Sequence, residues 1–349
     1  MKTKKRVGIL TGGGDCPGLN AAIRATAKTA YKIGYEVLGI RDGWEGLMED
    51  RSEILGSNET AGIIDKGGTI LGASRASPFQ IDNGTQRVFS VFSKLGLEAL
   101  VVLGGEGTLS VSSQLFKMGL PVVGIPKTID NDVAETNFTI GFQTAVQIAT
   151  DALDRLRSTA ASHHRIMLLE VMGRRTGWIA TFAGIASGAE AILIPEIPLT
   201  EKRVEKLCQM LEKRNRRGKN FSIIVVAEGT PLEGQTIFRS SLNMASDEVA
   251  NRLGGIGKVI GELIERRTGL ETRVSSLDYI QRGGTPVAYD RSLATAFGVK
   301  AVDLVKGKRY GEMSSLKGNR ITSTLLERVE GKTKTVNPNV YKIAEMFFG

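Results

Sequence analysis

Two carboxylates, Asp130 and Asp132, stand two residues apart in the stretch GIPKTIDNDVAET, with Lys127 just ahead of them and an apolar run before that. Such a segment can strip a proton from an alcohol and hold a metal or phosphate beside the acid. If the segment runs extended, both acidic side chains share one face. Like charges that close need a positive neighbour, for which Mg²⁺ and Lys127 are the candidates. The residues alone leave a second reading open, a polar loop capped by aspartate.

Three further stretches carry chemistry of the same kind. Thr11–Ala25, TGGGDCPGLNAAIRA, offers bare backbone amides after a strand, a natural cradle for an anion. It lacks the Lys-Ser/Thr of a Walker loop, and Pro17 takes the place of the last glycine of a dinucleotide fingerprint. Tight helix–sheet packing would equally explain its glycines. Gly104–Ser110, GGEGTLS, repeats the pattern: Thr108 can donate to a phosphate, and Glu106 can hold Mg²⁺ or simply face a helix dipole. Glu170–Trp178, EVMGRRTGW, brings Arg174 and Arg175 after another strand, while Arg165, Arg273 and Arg282 stand near other strand ends. A guanidinium fork suits phosphate, although surface arginines commonly end in solvated ion pairs. His163 and His164 have no partner at metal-ligand spacing, so no zinc is assigned. The tail GKTKTVNPNVYKIAEMFFG shows no recognisable chemistry.

These residues need elements to position them. Short apolar runs predict strands at Arg6–Leu10, Glu36–Ile40, Ala99–Leu103, Pro121–Ile125, Ile166–Val171, Ala191–Pro195, Ser222–Ala227 and Thr272–Leu277. Helical periodicity falls between them, at Leu19–Ile33, Gly141–Ala161, Thr176–Ala186, Lys202–Asn215 and Ala245–Arg267. Near-continuous apolar strands alternating with helices predict parallel sheets covered on both faces, a layered α/β architecture. In such sheets ligands bind beyond the carboxyl ends of the strands, so four motif-bearing strand ends are expected to converge on one cleft.

Composition bounds the rest. A chain of 349 residues suits two domains. No window holds the roughly 18 apolar residues of a membrane span, and the apolar stretch in MKTKKRVGIL is too short for a signal peptide. With only Cys16 and Cys208 there is no disulfide framework, and a reducing, cytoplasmic setting is expected. The net charge of +9 comes from scattered basic runs without interleaved aromatics or a nucleic-acid signature. It reads as attraction for small phosphorylated substrates; no nucleic-acid or membrane partner is expected.

Taken in order, GILTGGGDCPGLNAAIR, GGTILGASR, GGEGT, PKTIDNDV, RIMLLEVMGR, AEG, ETR and YIQRGGTP resemble the 6-phosphofructokinase family, from residue 7 to about 290. The resemblance implies two layered α/β lobes with largely parallel sheets. Residues 1–141 plus about 281–331 would form a phosphate-donor lobe, and 142–280 plus the C-terminal tail a sugar-phosphate lobe. It implies Mg²⁺-dependent transfer of the terminal phosphate of ATP to the 1-hydroxyl of fructose 6-phosphate.

Carried over residue by residue, the resemblance makes Asp130 the general base. Thr128 and Ile129 become sugar contacts, and Asp132 orients the base and the metal surroundings. Gly13, Arg75, Ala76, Gly105, Glu106, Gly107 and Thr108 correspond to the donor site, with Glu106 at the metal position. Arg75 and Arg174 would neutralise phosphate in the catalytic set. Met172, Gly173, Arg174, Glu228, Tyr279, Ile280 and Gln281 resemble sugar ligands. Arg282, with Arg165 and Arg273 of a neighbouring subunit, resembles a 6-phosphate clamp, implying a homodimer or homotetramer with shared active sites.

The sequence departs from the family in three places: Glu106 replaces an Asp, Tyr279 replaces a His, and the stretch from Glu228 to Arg273 is long, which predicts insertion loops near the sugar site. Donor choice turns on Gly107, which is ATP-type, and Lys127, which is pyrophosphate-type. Volume blocks where a mobile cation adapts, so ATP is the expected donor and pyrophosphate the alternative. An NAD kinase-like enzyme fits poorly with the arginines at 165, 174, 273 and 282. A non-catalytic nucleotide- or nucleic-acid-binding protein fits poorly with three acids among the phosphate motifs. Arg24, Arg157 and Glu190 resemble part of an effector pocket, but Lys28 stands where that pocket has Arg, and no effector is assigned.

Overall fold

The computed structural model describes residues 5–233 and 255–349. It divides into two compact units, Met1–Thr144 with Arg282–Lys334, and Ala145–Gln281 with Thr335–Gly349.

The first unit is built on β1 (Lys5–Thr11), β2 (Tyr35–Ile40), β3 (Ser52–Ile54), β4 (Leu97–Gly104), β5 (Val122–Pro126), β10 (Glu312–Lys317) and β11 (Arg320–Leu325). They form one seven-stranded sheet in the order β11-β10-β5-β4-β1-β2-β3. Pairing is parallel except at the two rims, where β3 and β11 run antiparallel to their neighbours. Leu10, Val101, Val102, Leu103, Val123 and Ile125 are fully buried, so successive residues of one strand face apolar layers on both sides. Removing such side chains from water contributes roughly 1.5–3 kcal/mol each. The cover includes α1 (Leu19–Lys32), α2 (Gly43–Met48), α3 (Gly84–Lys94), α4 (Glu106–Lys117) and α9 (Ala288–Lys306). In α1 the buried Leu19, Ala22, Ile23, Thr26, Ala27 and Ala30 recur at helical spacing and make one face apolar.

Helix α5 (Phe142–His163) begins in the first unit and carries the chain into the second. There β6 (Ile166–Val171), β7 (Ala191–Leu193), β8 (Ser222–Ala227) and β9 (Thr272–Ser276) form a wholly parallel sheet in the order β7-β8-β6-β9. Its helices include α6 (Trp178–Ser187), α7 (Glu201–Arg216), α8 (Ile256–Thr268) and α10 (Pro338–Glu345). The start of α7 is set by Thr200, whose hydroxyl accepts from Arg203 N, with Glu201 in the first turn and Lys213, Arg214 and Arg216 in the last. The tail helix α10 docks through Tyr341, whose hydroxyl donates to Ile192 O at 2.7 Å.

Both sheets are largely parallel and enclosed by helices, an α/β fold as the sequence predicts. Two expectations change. The strand expected at Ala191–Pro195 stops at Leu193. The first part of the helix expected at Ala245–Arg267, like most of the long stretch after Glu228, lies outside the described residues; the described helix is Ile256–Thr268. Among the described residues no helix is long and apolar enough to cross a membrane.

Candidate active site

In the first sheet β2 lies on one side of β1 while β4 and β5 lie on the other. The chain therefore reverses direction between β1 and β4, the place where an open α/β sheet splays its loops and admits a ligand. The glycine loop after β1 and the Gly105–Thr108 turn after β4 meet there. Gly12 N donates to Leu103 O at 2.9 Å and Gly13 N to Ser74 O at 2.9 Å. These bonds correct the picture of bare amides: two of the three glycine N–H groups are already used. Helix α1 also starts only at Leu19, so its N-terminus is not at the glycines. What the loop offers is close approach. A Cβ on Gly12 would come within 2.6 Å of Thr108 Cγ2, and one on Gly104 would also collide with Thr108. The same bridge through Ser74 brings exposed Arg75 beside Gly13, and Ala76 N donates to Ser74 Oγ at 3.0 Å. Gly13, Arg75, Ala76 and the Gly105–Thr108 turn are thus one cluster.

Gly107 differs from its neighbours: a Cβ there would meet nothing within 4 Å. The space next to it is left open in a loop otherwise closed by packing. Glu106 opens α4, and its Oε1 accepts from Ser110 Oγ at 2.6 Å and from Gly331 N at 2.9 Å. Both bonds fall on Oε1, leaving Oε2 for a cation.

The segment after β5 is folded back on itself. Lys127 N donates to Gly104 O, Thr128 N to Ile140 O, and Thr139 Oγ1 to Thr128 O at 2.6 Å. Asp130 N donates to Thr128 Oγ1 at 3.1 Å, and Asn131 takes the left-handed conformation with φ 52°. A short polar side chain tolerates that region. The condition under which Asp130 and Asp132 would share one face, an extended segment, is therefore not met; they flank a turn. Both carboxylates are nonetheless buried, at 7% and 8% exposure, as is Ile129.

Lys127 is not the mobile cation its sequence position suggested. It is 2% exposed, and its ammonium donates to Gly12 O at 2.8 Å and Gly14 O at 2.5 Å. Burial lowers its pKa from the usual lysine value, the nearby Arg282 lowers it further, and Asp130 opposes both. Arg282 lies against Gly14, where any Cβ would strike its guanidinium. This expected sugar-phosphate ligand stands on the glycine loop of the first unit.

The second unit carries the other expected ligands at two ends of its sheet: Met172, Gly173 and Arg174 follow the carboxyl end of β6, whereas Arg165 and Arg273 lie at the amino ends of β6 and β9. Met172 N donates to Gln281 Oε1 at 2.6 Å; Gly173 N and Arg174 N both donate to Glu228 Oε1, at 3.3 and 2.8 Å. Glu228 thus holds the Gly173 turn, where Gly173 has φ 153° and Arg174 φ 55° with its side chain exposed. The paired register of β6 and β9 sets Arg165 near Arg273, and both bond Glu271, Arg165 Nε at 2.8 Å. Tyr279 and Ile280 are 73% and 68% exposed. Arg157 donates to Gly188 O at 3.2 Å, and Glu190 pairs with Arg214 at 2.9 Å. Of the four strand ends expected in one cleft, those of β1, β4 and β5 share the first sheet, whereas that of β6 belongs to the second.

A family model for phosphofructokinase matches residues 6–305. The chain belongs to the phosphofructokinase family. It is 47% identical over 346 residues to the pyrophosphate–fructose 6-phosphate 1-phosphotransferase of Amycolatopsis methanolica, covering 99% of this chain and 100% of that one. It is also 47% identical over 345 residues to the ATP-dependent 6-phosphofructokinase of Chloroflexus aggregans, covering 96% and 94%. Its fold superimposes on phosphofructokinase from Saccharomyces cerevisiae with a TM-score of 0.81 at 31% identity, over 93% of this chain and 45% of the yeast chain. As a phosphofructokinase it is a glycolytic phosphotransferase that uses Mg²⁺ with ATP or pyrophosphate as donor. The residues fit that metal. Among the described residues no group of three or more His, Cys, Asp or Glu could hold an ion, but Mg²⁺ characteristically takes only one or two carboxylates plus donor phosphates and water, and Glu106 is the candidate carboxylate.

Sequence reasoning passed over Lys334, whose ammonium reaches Asn131 Oδ1 at 3.0 Å. Its only signal was a lysine in a tail without periodicity. Glu271 was visible in the ETR motif but was not read as the partner of two arginines.

Proposed function

We propose that this chain is an ATP-dependent 6-phosphofructokinase in which Asp130 is the general base and the phosphoryl group moves in one in-line step. The 1-hydroxyl of fructose 6-phosphate gives its proton to Asp130 as its oxygen attacks the terminal phosphorus. The bond to the bridging oxygen breaks, and ADP and fructose 1,6-bisphosphate leave without a phosphoenzyme. Mg²⁺, held by Glu106, would neutralise charge on the donor phosphates. Arg75 and Lys127 add positive charge near the glycine loop. Asp132 is assigned to orienting the base, and Thr128 and Ile129 to contacting the sugar. Residues Met172, Gly173, Arg174, Glu228, Tyr279, Ile280 and Gln281 are assigned to the sugar. Arg282, with Arg165 and Arg273 of a neighbouring subunit, is assigned to the 6-phosphate. The first unit then carries the donor groups and the second most sugar ligands, in a cytoplasmic homodimer or homotetramer.

The open space beside Gly107 carries the choice of donor. ATP extends beyond pyrophosphate at its inner phosphate, and an added carboxylate at 107 would both occupy volume and repel that phosphate. A pyrophosphate-dependent enzyme is the second reading. Lys127 supports it, as a buried cation fixed under the glycine loop, and so does the name of the Amycolatopsis relative. Purified protein given fructose 6-phosphate and Mg²⁺, with ATP and pyrophosphate offered separately, decides between them. Turnover with ATP alone is expected; robust turnover with pyrophosphate would transfer the decisive role to Lys127.

A further inference from the structure

After β11 the chain runs back along the loop that bears Asp130. Thr333 forms an antiparallel bridge with Val133, and Lys334 N donates to Asp132 O at 2.8 Å. The Lys334 ammonium reaches Asn131 Oδ1 at 3.0 Å, Thr136 O at 2.8 Å and Asn137 O at 2.9 Å. An ammonium has three donors, and these three acceptors all lie in residues 131–137. Asn131 is fully buried and sits in the left-handed region, and its Oδ1 also accepts from Thr139 N at 3.1 Å. Its amide oxygen is therefore where Lys334 and the returning limb of the loop both grip the turn.

We propose that Lys334 is a positioning residue for phosphoryl transfer, fixing through Asn131 and the 136–137 carbonyls the turn that aims Asp130. This rests on the reading of Asp130 as general base. Lys334 bonds the residue next to the base. Removing its ammonium leaves the oxygen of the buried Thr136 without that donor, and such groups reorganise rather than stay unpaired. A displacement of about 1 Å at a reacting group is enough to cost on the order of 100-fold in rate. A lysine that merely anchored the tail would change stability and leave turnover alone.

The test compares Lys334→Met, Asp130→Asn and the double variant in full-length enzyme at about pH 6, where the Lys334 side chain is an ammonium. Lys334→Met is expected to lower kcat by about 10- to 100-fold, with the KM for fructose 6-phosphate within about threefold. Adding it to Asp130→Asn should cost little more, because Lys334 acts through Asp130. Independent losses that multiply in the double variant overturn the proposal, as does wild-type kcat in folded Lys334→Met. Wild-type turnover in Asp130→Asn is a separate result: it removes the base assignment and the proposal with it. Lys334→Cys followed by aminoethylation with bromoethylamine restores an ammonium of nearly the same length. The native Cys16 and Cys208 are buried, at 0% and 5% exposure, which directs the reagent to residue 334. Recovery of most of the lost kcat supports the assignment and no recovery overturns it. This pair also decides the matter if Lys334→Met does not fold.

Discussion

The glycine and aspartate loops of the first unit and the arginines of the second, proposed to meet phosphate donor and sugar, handle charge in opposite ways. In the first, Lys127, Asp130 and Asp132 are all under 9% exposed, and the Lys127 ammonium is held by two carbonyls. In the second, Arg174 is exposed, and Arg165 and Arg273 share Glu271 near the surface. Buried groups held by fixed dipoles are preorganised and need no rearrangement when charge develops in a transition state. Arginines near the surface and paired with an acid are adaptable, and a phosphate binding there would have to compete with Glu271 for them. The contrast predicts that lesions in the first unit act on turnover and lesions in the second on sugar affinity.

The largest effect tests the first half of that statement. Asp130→Asn should lower kcat by roughly 10²–10⁴-fold while sugar binding, measured by titration, changes little. A comparable loss of sugar binding would erase the distinction between the two regions. Next, Gly107→Asp should raise the KM for ATP by about 10- to 100-fold, the equivalent of ~1–3 kcal/mol of like-charge repulsion. Since the site has room for a side chain, the protein should melt as the parent does. Unchanged ATP kinetics would show that the open space is not where the nucleotide lies.

The second half is addressed by Arg273→Ala, which should raise the KM for fructose 6-phosphate about tenfold with kcat nearly unchanged, the signature of lost uniform binding. Glu271→Gln sharpens the comparison, because it removes the acid that Arg165 and Arg273 share, leaving Arg273 its longer 3.9 Å pair with Glu265, and should lower the same KM. An unaltered KM in both variants would remove these arginines from the sugar side.

What the sequence could reveal follows the same division. Strands β1, β4, β5, β6 and β8 were legible because both faces of their central residues are buried, and those residues are apolar apart from single charged positions such as Glu98 and Glu170. The hairpin of β10 and β11 was not. Its inward residues include Ser314, which satisfies itself by donating to Phe297 O at 2.9 Å, so burial left no apolar signature. The Gly318–Asn319 dipeptide between those strands was the usable signal, a two-residue hairpin turn with Gly318 at φ 58°. At the site, motifs gave residue types but not orientation. Lys127 looked free because nothing local in the sequence shows that Gly12 and Gly14 turn their carbonyls toward it. Asn131 could be placed in a turn only once Thr128, Thr139 and Lys334 were seen around it, and the last is two hundred residues away in the chain.

The smallest expected effect concerns the cost of keeping a cation in that preorganised loop. Burial lowers the Lys334 pKa from the usual 10.5 to about 7, with Asp132 opposing the shift. Below pH 7 both folded and unfolded chains carry the charge, and the desolvation penalty is complete. As pH rises from 7 toward 10.5, the folded protein releases a proton that the unfolded chain retains, so stability increases with pH. Buried Cys208, whose thiol is pushed up by desolvation, acts in the opposite sense above about pH 9, and buried Lys127 acts in the same sense as Lys334. Both are unchanged in Lys334→Met, so the difference between the two proteins isolates residue 334. Urea melts between pH 7 and 8.5 should show wild type gaining about 1–2 kcal/mol relative to Lys334→Met. Parallel stability curves would mean that the three oxygens around this ammonium compensate its burial fully, and the loop would then hold its charge as easily as the exposed arginines hold theirs.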